Sequence, residues 1–264
     1  MHETLETTVV EFDAETGVGH VTLDRPESLN ALSRQLRTDL VESLRLLEGQ
    51  NDDANGVALR VVVLDGADGN FCAGADVTEF SDEPSAGTAD RDHFQFLREF
   101  PVPIVAKIRG YCLGGGLETA LCCDFRIAHE EAQLGFPEVD LGLFPGAGGV
   151  QLVSSLSTPS VAMELAMTGE HVSGERAAEL GIVNRVSGDD IDDAVDEFAE
   201  TIASKPPLAI QAIKDAARTA AHTGLEEGIA ADQTRFEVLL TSEDHAEGAR
   251  AFAEDEYEPE FVGR

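Results

Sequence analysis

Lysine is nearly missing from this chain: among 264 residues only Lys107, Lys205 and Lys214 are lysines. Against 18 basic side chains stand 51 acidic ones, a formal charge of −33. A surface of that sign repels phosphate rather than releasing counterions from it, so nucleic acid is not expected as a partner. It also repels itself, which is tolerable where the Debye length is short, about 3 Å at 1 M salt. Acids spread along the whole chain therefore point to a salt-rich cytosol. Any apolar run near the ~20 residues of a membrane span is also lacking. Met1-His2-Glu3-Thr4-Leu5 has neither the basic nor the apolar segment of a secretion signal. A soluble, cytoplasmic protein without a membrane partner is the expectation. The 4 cysteines, Cys72, Cys112, Cys122 and Cys123, have no metal-ligand spacing and lie in apolar stretches. They are read as free buried thiols, with no metal site. No GxGxxG follows a strand and no lysine follows a glycine loop, which argues against dinucleotide and Walker-type phosphate sites.

What is present is strand, turn and helix in repeated order, the pattern of an α/β protein with a helical C-terminal third. Residues 7–12 and 18–24 are short and β-branched, a hairpin turning at Glu15-Thr16-Gly17. Ser33 caps a helix whose Leu36, Leu40, Leu44 and Leu47 recur at helical spacing. Strands are predicted at Leu59–Leu64, Ile104–Ile108, Phe125–Ala128 and Gln133–Gly135, with a short buried helix at Leu117–Cys123. Residues 80–90 read as an acidic loop, and 77–95 as part of a pocket wall. Helical segments are predicted near 148–156, 160–168, 173–180, 190–203, 207–221 and 225–241.

Two glycine-rich turns follow apolar runs: Ala73-Gly74-Ala75-Asp76 and Gly114-Gly115-Gly116. Glycine lets backbone approach a ligand closely, so two such turns can aim main-chain N–H groups at one anion. The first turn alone is equally well a tight connection capped by Asp76. The second opens a helix, whose free N–H groups and positive dipole end face whatever fills the turn. Glu118 falls in that helix's first turn, and Glu138 follows in Gly135-Phe136-Pro137-Glu138. A third glycine cluster, Gly146-Ala147-Gly148-Gly149, opens another helix. An oxyanion site beside paired acids reads as chemistry on a carbonyl compound.

Taken jointly, these motifs resemble the enoyl-CoA hydratase/isomerase (crotonase) superfamily. The resemblance runs from Leu23-Asp24-Arg25-Pro26 and Leu29-Asn30-Ala31-Leu32 through Phe71–Asp76, Gly110–Glu118 and Gly135–Glu138. It continues through Leu141–Gly149 to Leu165–Gly169 and Ala177–Val183. It implies a crotonase-like spiral of ββα units (residues 1–195) and a C-terminal helical region (196–264) that packs trimers, often paired into hexamers. It implies an acyl-CoA thioester substrate and no metal or redox cofactor, coenzyme A being part of the substrate. The oxyanion-hole positions match Ala75 and Gly115, and the two hydratase glutamates match Glu118 and Glu138. By the same analogy Glu138 protonates the α-carbon, while Arg25, Ala73, Gly74, Asp76, Gly114 and Gly146 are expected to bind the substrate and its CoA. The tail Glu254–Phe261, where relatives often carry bases for CoA phosphates, is almost all acid; Arg25 is a substitute candidate. Retention of both glutamates favours reversible hydration of a trans-2-enoyl-CoA. The alternative is another acyl-CoA reaction of the superfamily, such as isomerisation or hydration of a branched or hydroxylated chain. An RNA-binding member without catalysis would want a basic stripe that this chain lacks.

Overall fold

Alternation builds the first hairpin in the computed structural model, which describes residues 1–52, 54–81, 92–254 and 257–264. Strand β1 (His2–Thr4) pairs antiparallel with β2 (Thr8–Asp13), and β2 with β3 (Val18–Leu23). Thr8, Val10 and Phe12 turn inward while Glu11 and Asp13 face out, as a period of two requires. The Ser33 hydroxyl then accepts the Leu36 N–H at 3.1 Å and starts α1 (Arg34–Glu48). Its buried leucines 36, 40, 44 and 47 are the four that the spacing singles out.

Strand β4 (Val61–Gly66) starts two residues later than predicted and is buried on both faces. Val62 and Leu64 join the main core with α1, whereas Val61 and Val63 pack on the sheet's other side. Continuous apolar strands of this kind belong in parallel sheets covered on both faces. The chain continues through α2 (Asp92–Glu99), β5 (Ile104–Ile108), β6 (Tyr111–Leu113), α3 (Gly115–Cys122), β7 (Phe125–His129) and β8 (Gln133–Gly135). Next come α4 (Gly149–Leu156), α5 (Pro159–Thr168), β9 (Val172–Ser173), α6 (Gly174–Glu179), β10 (Arg185–Ser187) and α7 (Ile191–Ala203). The large sheet has the order β1-β2-β3-β4-β5-β7-β10, parallel from β3 onward. A smaller sheet has the order β6-β8-β9 and leads into the candidate site.

Helix α7 covers the second face with Ile191, Val195, Ala199 and Ala203, so residue 195 lies inside one helix. Helices α8 (Pro207–Ala220), α9 (Leu225–Leu239) and α10 (Glu243–Ala253) complete the helical C-terminal region. The buried Lys214 ammonium fastens α8 to the core, donating to the Val102 carbonyl at 2.6 Å and the Asp124 carboxylate at 2.5 Å. Buried Asp244 accepts the Val262 and Gly263 amides and ties down the tail. Among the described residues no helix is long and apolar enough to cross a membrane. Of the acidic loop expected at 80–90, residues 82–90 lie outside the described part.

Candidate active site

Strand register brings the predicted residues together. β6 and β8 run parallel with Leu113 opposite Gly135, so the residues beyond both strands emerge side by side. The Gly114 N–H donates to the Gly135 carbonyl at 2.9 Å and locks this junction. A parallel bridge between Cys72 and Cys112 lays Ala73-Gly74-Ala75 along Leu113-Gly114-Gly115. A second bridge joins Leu32 to Ala75. Gly116 lets these backbones close up: a Cβ there would overlap the Cys72 carbonyl oxygen.

The Leu32 bridge uses the Gly74 carbonyl and the Asp76 amide, 2.8 and 3.2 Å from their Leu32 partners. The Ala75 N–H is left out of that ladder. Gly115 opens α3, where a first-turn amide has no partner within the helix. Neither amide donates a backbone hydrogen bond among the described residues. They are neighbours, since a methyl placed on Gly115 would lie 3.6 Å from the Ala75 nitrogen. Two adjacent free donors, one at a helix N-terminus, form a cradle for an oxyanion.

The two glutamates meet this cradle in different ways. Glu118, 4% exposed, holds one carboxylate oxygen against the Ala147 N–H at 2.7 Å and the Gly149 N–H at 2.9 Å. Two amide donors fix its orientation and offset the cost of its burial. Glu138 lies in a short 3-10 turn, Pro137–Leu141, that Pro137 initiates. One carboxyl oxygen of Glu138 is buried without a hydrogen-bond partner. The other lies beside Gly114, 2.8 Å from where a Cβ would stand. Phe136, fully buried against Gly149, anchors this turn to the start of α4.

Burial pushes the Glu138 carboxyl up to about 7; a backbone hydrogen bond pulls it down and the nearby Glu118 charge adds to the rise. A carboxyl poised near neutrality suits proton transfer. If its protonated form is the working one, kcat/KM falls on the alkaline side of about pH 7. A pH profile flat from about 6 to 9 contradicts that role.

Arg25 is placed to hold the first turn. Its guanidinium donates to the Ala31 carbonyl at 2.6 Å and pairs with Asp76 at 3.1 Å. Buried Asn30 braces the same loop, accepting the Arg25 N–H and donating to the Ala67 and Asn70 carbonyls. Gly146 immediately precedes Ala147, one of the two amides on Glu118. All 4 cysteines are free and buried. Desolvation lifts the Cys72 thiol to about 12 and Cys122 to about 11, and raises Cys112 and Cys123 as well, so none is a thiolate nucleophile. Sequence reasoning missed the Ala147 and Gly149 amides as the seat of Glu118. Their signal was the third glycine cluster, which it read as a helix start with Gly146 at the substrate.

A family profile described as enoyl-CoA hydratase/isomerase matches residues 13–264. The chain is 36% identical over 251 residues to a 2,3-dehydroadipyl-CoA hydratase of Escherichia coli, covering 92% of this chain and 94% of that one. It is 36% identical over 261 residues to an enoyl-CoA isomerase/hydratase of Mycosarcoma maydis, covering 94% of each. An enoyl-CoA hydratase subunit of Geobacillus kaustophilus superposes with a TM-score of 0.89 at 35% identity, over 99% of this chain and 100% of that one.

Proposed function

This chain belongs to the enoyl-CoA hydratase/isomerase family and has its fold, and we propose that it adds water reversibly to a trans-2-enoyl-CoA, giving the 3-hydroxyacyl-CoA. The observation that carries this reading is the pair of unlike carboxyls beside one oxyanion cradle. The Ala75 and Gly115 N–H groups donate to the thioester oxygen and stabilise enolate-like charge, each such donor being worth ~10²–10³ in rate. The polarised thioester makes the β-carbon electrophilic. One water is held between Glu118 and Glu138. Glu118 takes a proton from it as the oxygen bonds to the β-carbon, and protonated Glu138 delivers a proton to the α-carbon. A final proton exchange between the two carboxyls restores the starting state. The acids must sit in different protonation states for this to work, as close carboxyl pairs tend to.

Product analysis with a short trans-2-enoyl-CoA tests the reaction class. Hydration yields a product heavier by one water that keeps its thioester. An isomerase moves the double bond at constant mass, and a thioesterase releases free CoA thiol; either product in place of hydration overturns the reading.

The charge of −33 bears on substrate capture, because CoA is itself an anion. Raising KCl from about 0.1 M to about 2 M shortens the Debye length severalfold, so KM for the acyl-CoA is expected to fall. A KM that rises with salt would mean that attractive charge pairs dominate CoA binding. We further propose a homotrimer or homohexamer. Ile213, Leu225, Phe236 and Phe252 leave large apolar surface on α8, α9 and α10 in the single chain. A monomeric mass by light scattering in high salt sinks this.

A further inference from the structure

Helix α3 supplies the Gly115 N–H at one end and Glu118 in its first turn, and something must hold its other end still. The 8 residues of α3 span only about 12 Å, so any tilt at the carboxyl end is felt at Gly115. That carboxyl end is gripped by Arg126 on β7, 3% exposed. One terminal nitrogen donates to the Ala120 and Cys123 carbonyls at 3.3 and 2.9 Å. Nε donates to the Ile182 carbonyl at 2.7 Å, and the second terminal nitrogen to the Asn184 side-chain oxygen at 3.3 Å. No carboxylate pairs with this buried cation among the described residues. The adjacent Asp124 is taken by Lys214 and Arg218. A buried charge without an ionic partner is costly, and here the compensation comes from backbone carbonyls at a helix C-terminus, where a cation is favoured.

The grip continues back to the cradle. The Cys123 thiol donates to the Thr119 carbonyl at 3.5 Å, and the Thr119 hydroxyl to the Gly115 carbonyl at 2.8 Å. Arg126, Cys123, Thr119 and Gly115 thus form one buried chain of donors and acceptors. Such chains polarise and stiffen one another. We propose that Arg126 is a positioning residue for the oxyanion hole, clamping the carboxyl end of α3 so that Gly115 keeps its N–H on the thioester oxygen. The proposal rests on the acyl-CoA reading above, but not on hydration as the reaction.

The test uses butyryl-CoA labelled with 13C at its carbonyl, a saturated thioester with no double bond to hydrate. Its bound carbonyl stretch is read by difference infrared spectroscopy. Wild type is expected to shift the band to lower frequency, and Arg126→Met to lose at least about half of that shift. With an enoyl-CoA the same variant is expected to lose kcat about ten-fold while KM changes little, in keeping with a charge at a helix end. Arg126→Lys keeps the charge and is expected to restore most of both. Should Arg126→Met fail to fold, Thr119→Val breaks the chain next to Gly115 and is expected to weaken the shift. A folded Arg126→Met with wild-type stretch and kcat overturns the proposal, as does a wild-type stretch in Thr119→Val. A wild type that polarises butyryl-CoA but hydrates nothing would sink hydration and leave this proposal standing. A wild type that does not shift the band at all would overturn the oxyanion cradle and this proposal with it.

Discussion

Glu138→Gln is expected to lower kcat for crotonyl-CoA by about 10³-fold, within the range that a general acid contributes. The amide is nearly the same shape but has no acidic proton for the α-carbon. Loss of fold is not expected to explain the result, and the Glu138 environment shows why. Its carboxyl titrates near 7 in the folded protein, above the ordinary glutamate value of 4.5. The folded state therefore binds this proton more tightly than the unfolded chain does. Its contribution to stability is complete below about pH 4.5 and is lost as the pH rises through 7. Glutamine carries no such penalty, so the variant should melt at or above the wild-type temperature at pH 8. Equal melting with collapsed turnover assigns the loss to chemistry. A loss under ten-fold would remove Glu138 from the proton transfer.

Gly114→Ala is expected to lower kcat about 10²-fold and Tm by several degrees. Gly114 has φ +49° and ψ −123°, a conformation that costs an L-residue about 1–3 kcal/mol. The new methyl would also stand 2.8 Å from a Glu138 carboxyl oxygen and push it away. Displacing a reacting group by about 1 Å can cost 10²-fold. Thermal melting and steady-state rates check the two effects separately. Turnover within two-fold of wild type would mean that Glu138 and Gly114 are not neighbours in the working enzyme.

The elements that pattern alone could reach are those with a strong period. The hairpin, the Ser33-capped α1 with its four leucines, β5 and the helices from α4 to α9 fall within a few residues of their predicted positions. Helix α3 begins inside the glycine triplet rather than at Leu117, because Gly115 and Gly116 can take helical angles while packing against the Cys72 backbone. Helix α10 escaped notice: Glu243, Asp244 and Glu247 crowd its start, and its apolar positions are mostly alanine. Strands β6, β9 and β10 are two or three residues long, too short to show a period. At the site, glycine turns and both glutamates are visible in the sequence as residue types. Their convergence is not, since it depends on the β6–β8 register and on the bridges from Cys72 and Leu32. The environment that sets Glu138 apart from Glu118 is likewise tertiary. Two glutamates 20 positions apart look alike until one meets the Ala147 and Gly149 amides and the other sits half-buried beside Gly114.

The most direct measurement is the loss of enoyl-thioester absorbance with crotonyl-CoA in KCl of several molar, comparing wild type with the Glu118→Gln, Glu138→Gln double variant. Rapid hydration by the wild type and none above background in a folded double variant is the predicted result. Equal turnover by both would contradict a mechanism in which these two carboxyls hold and activate the water.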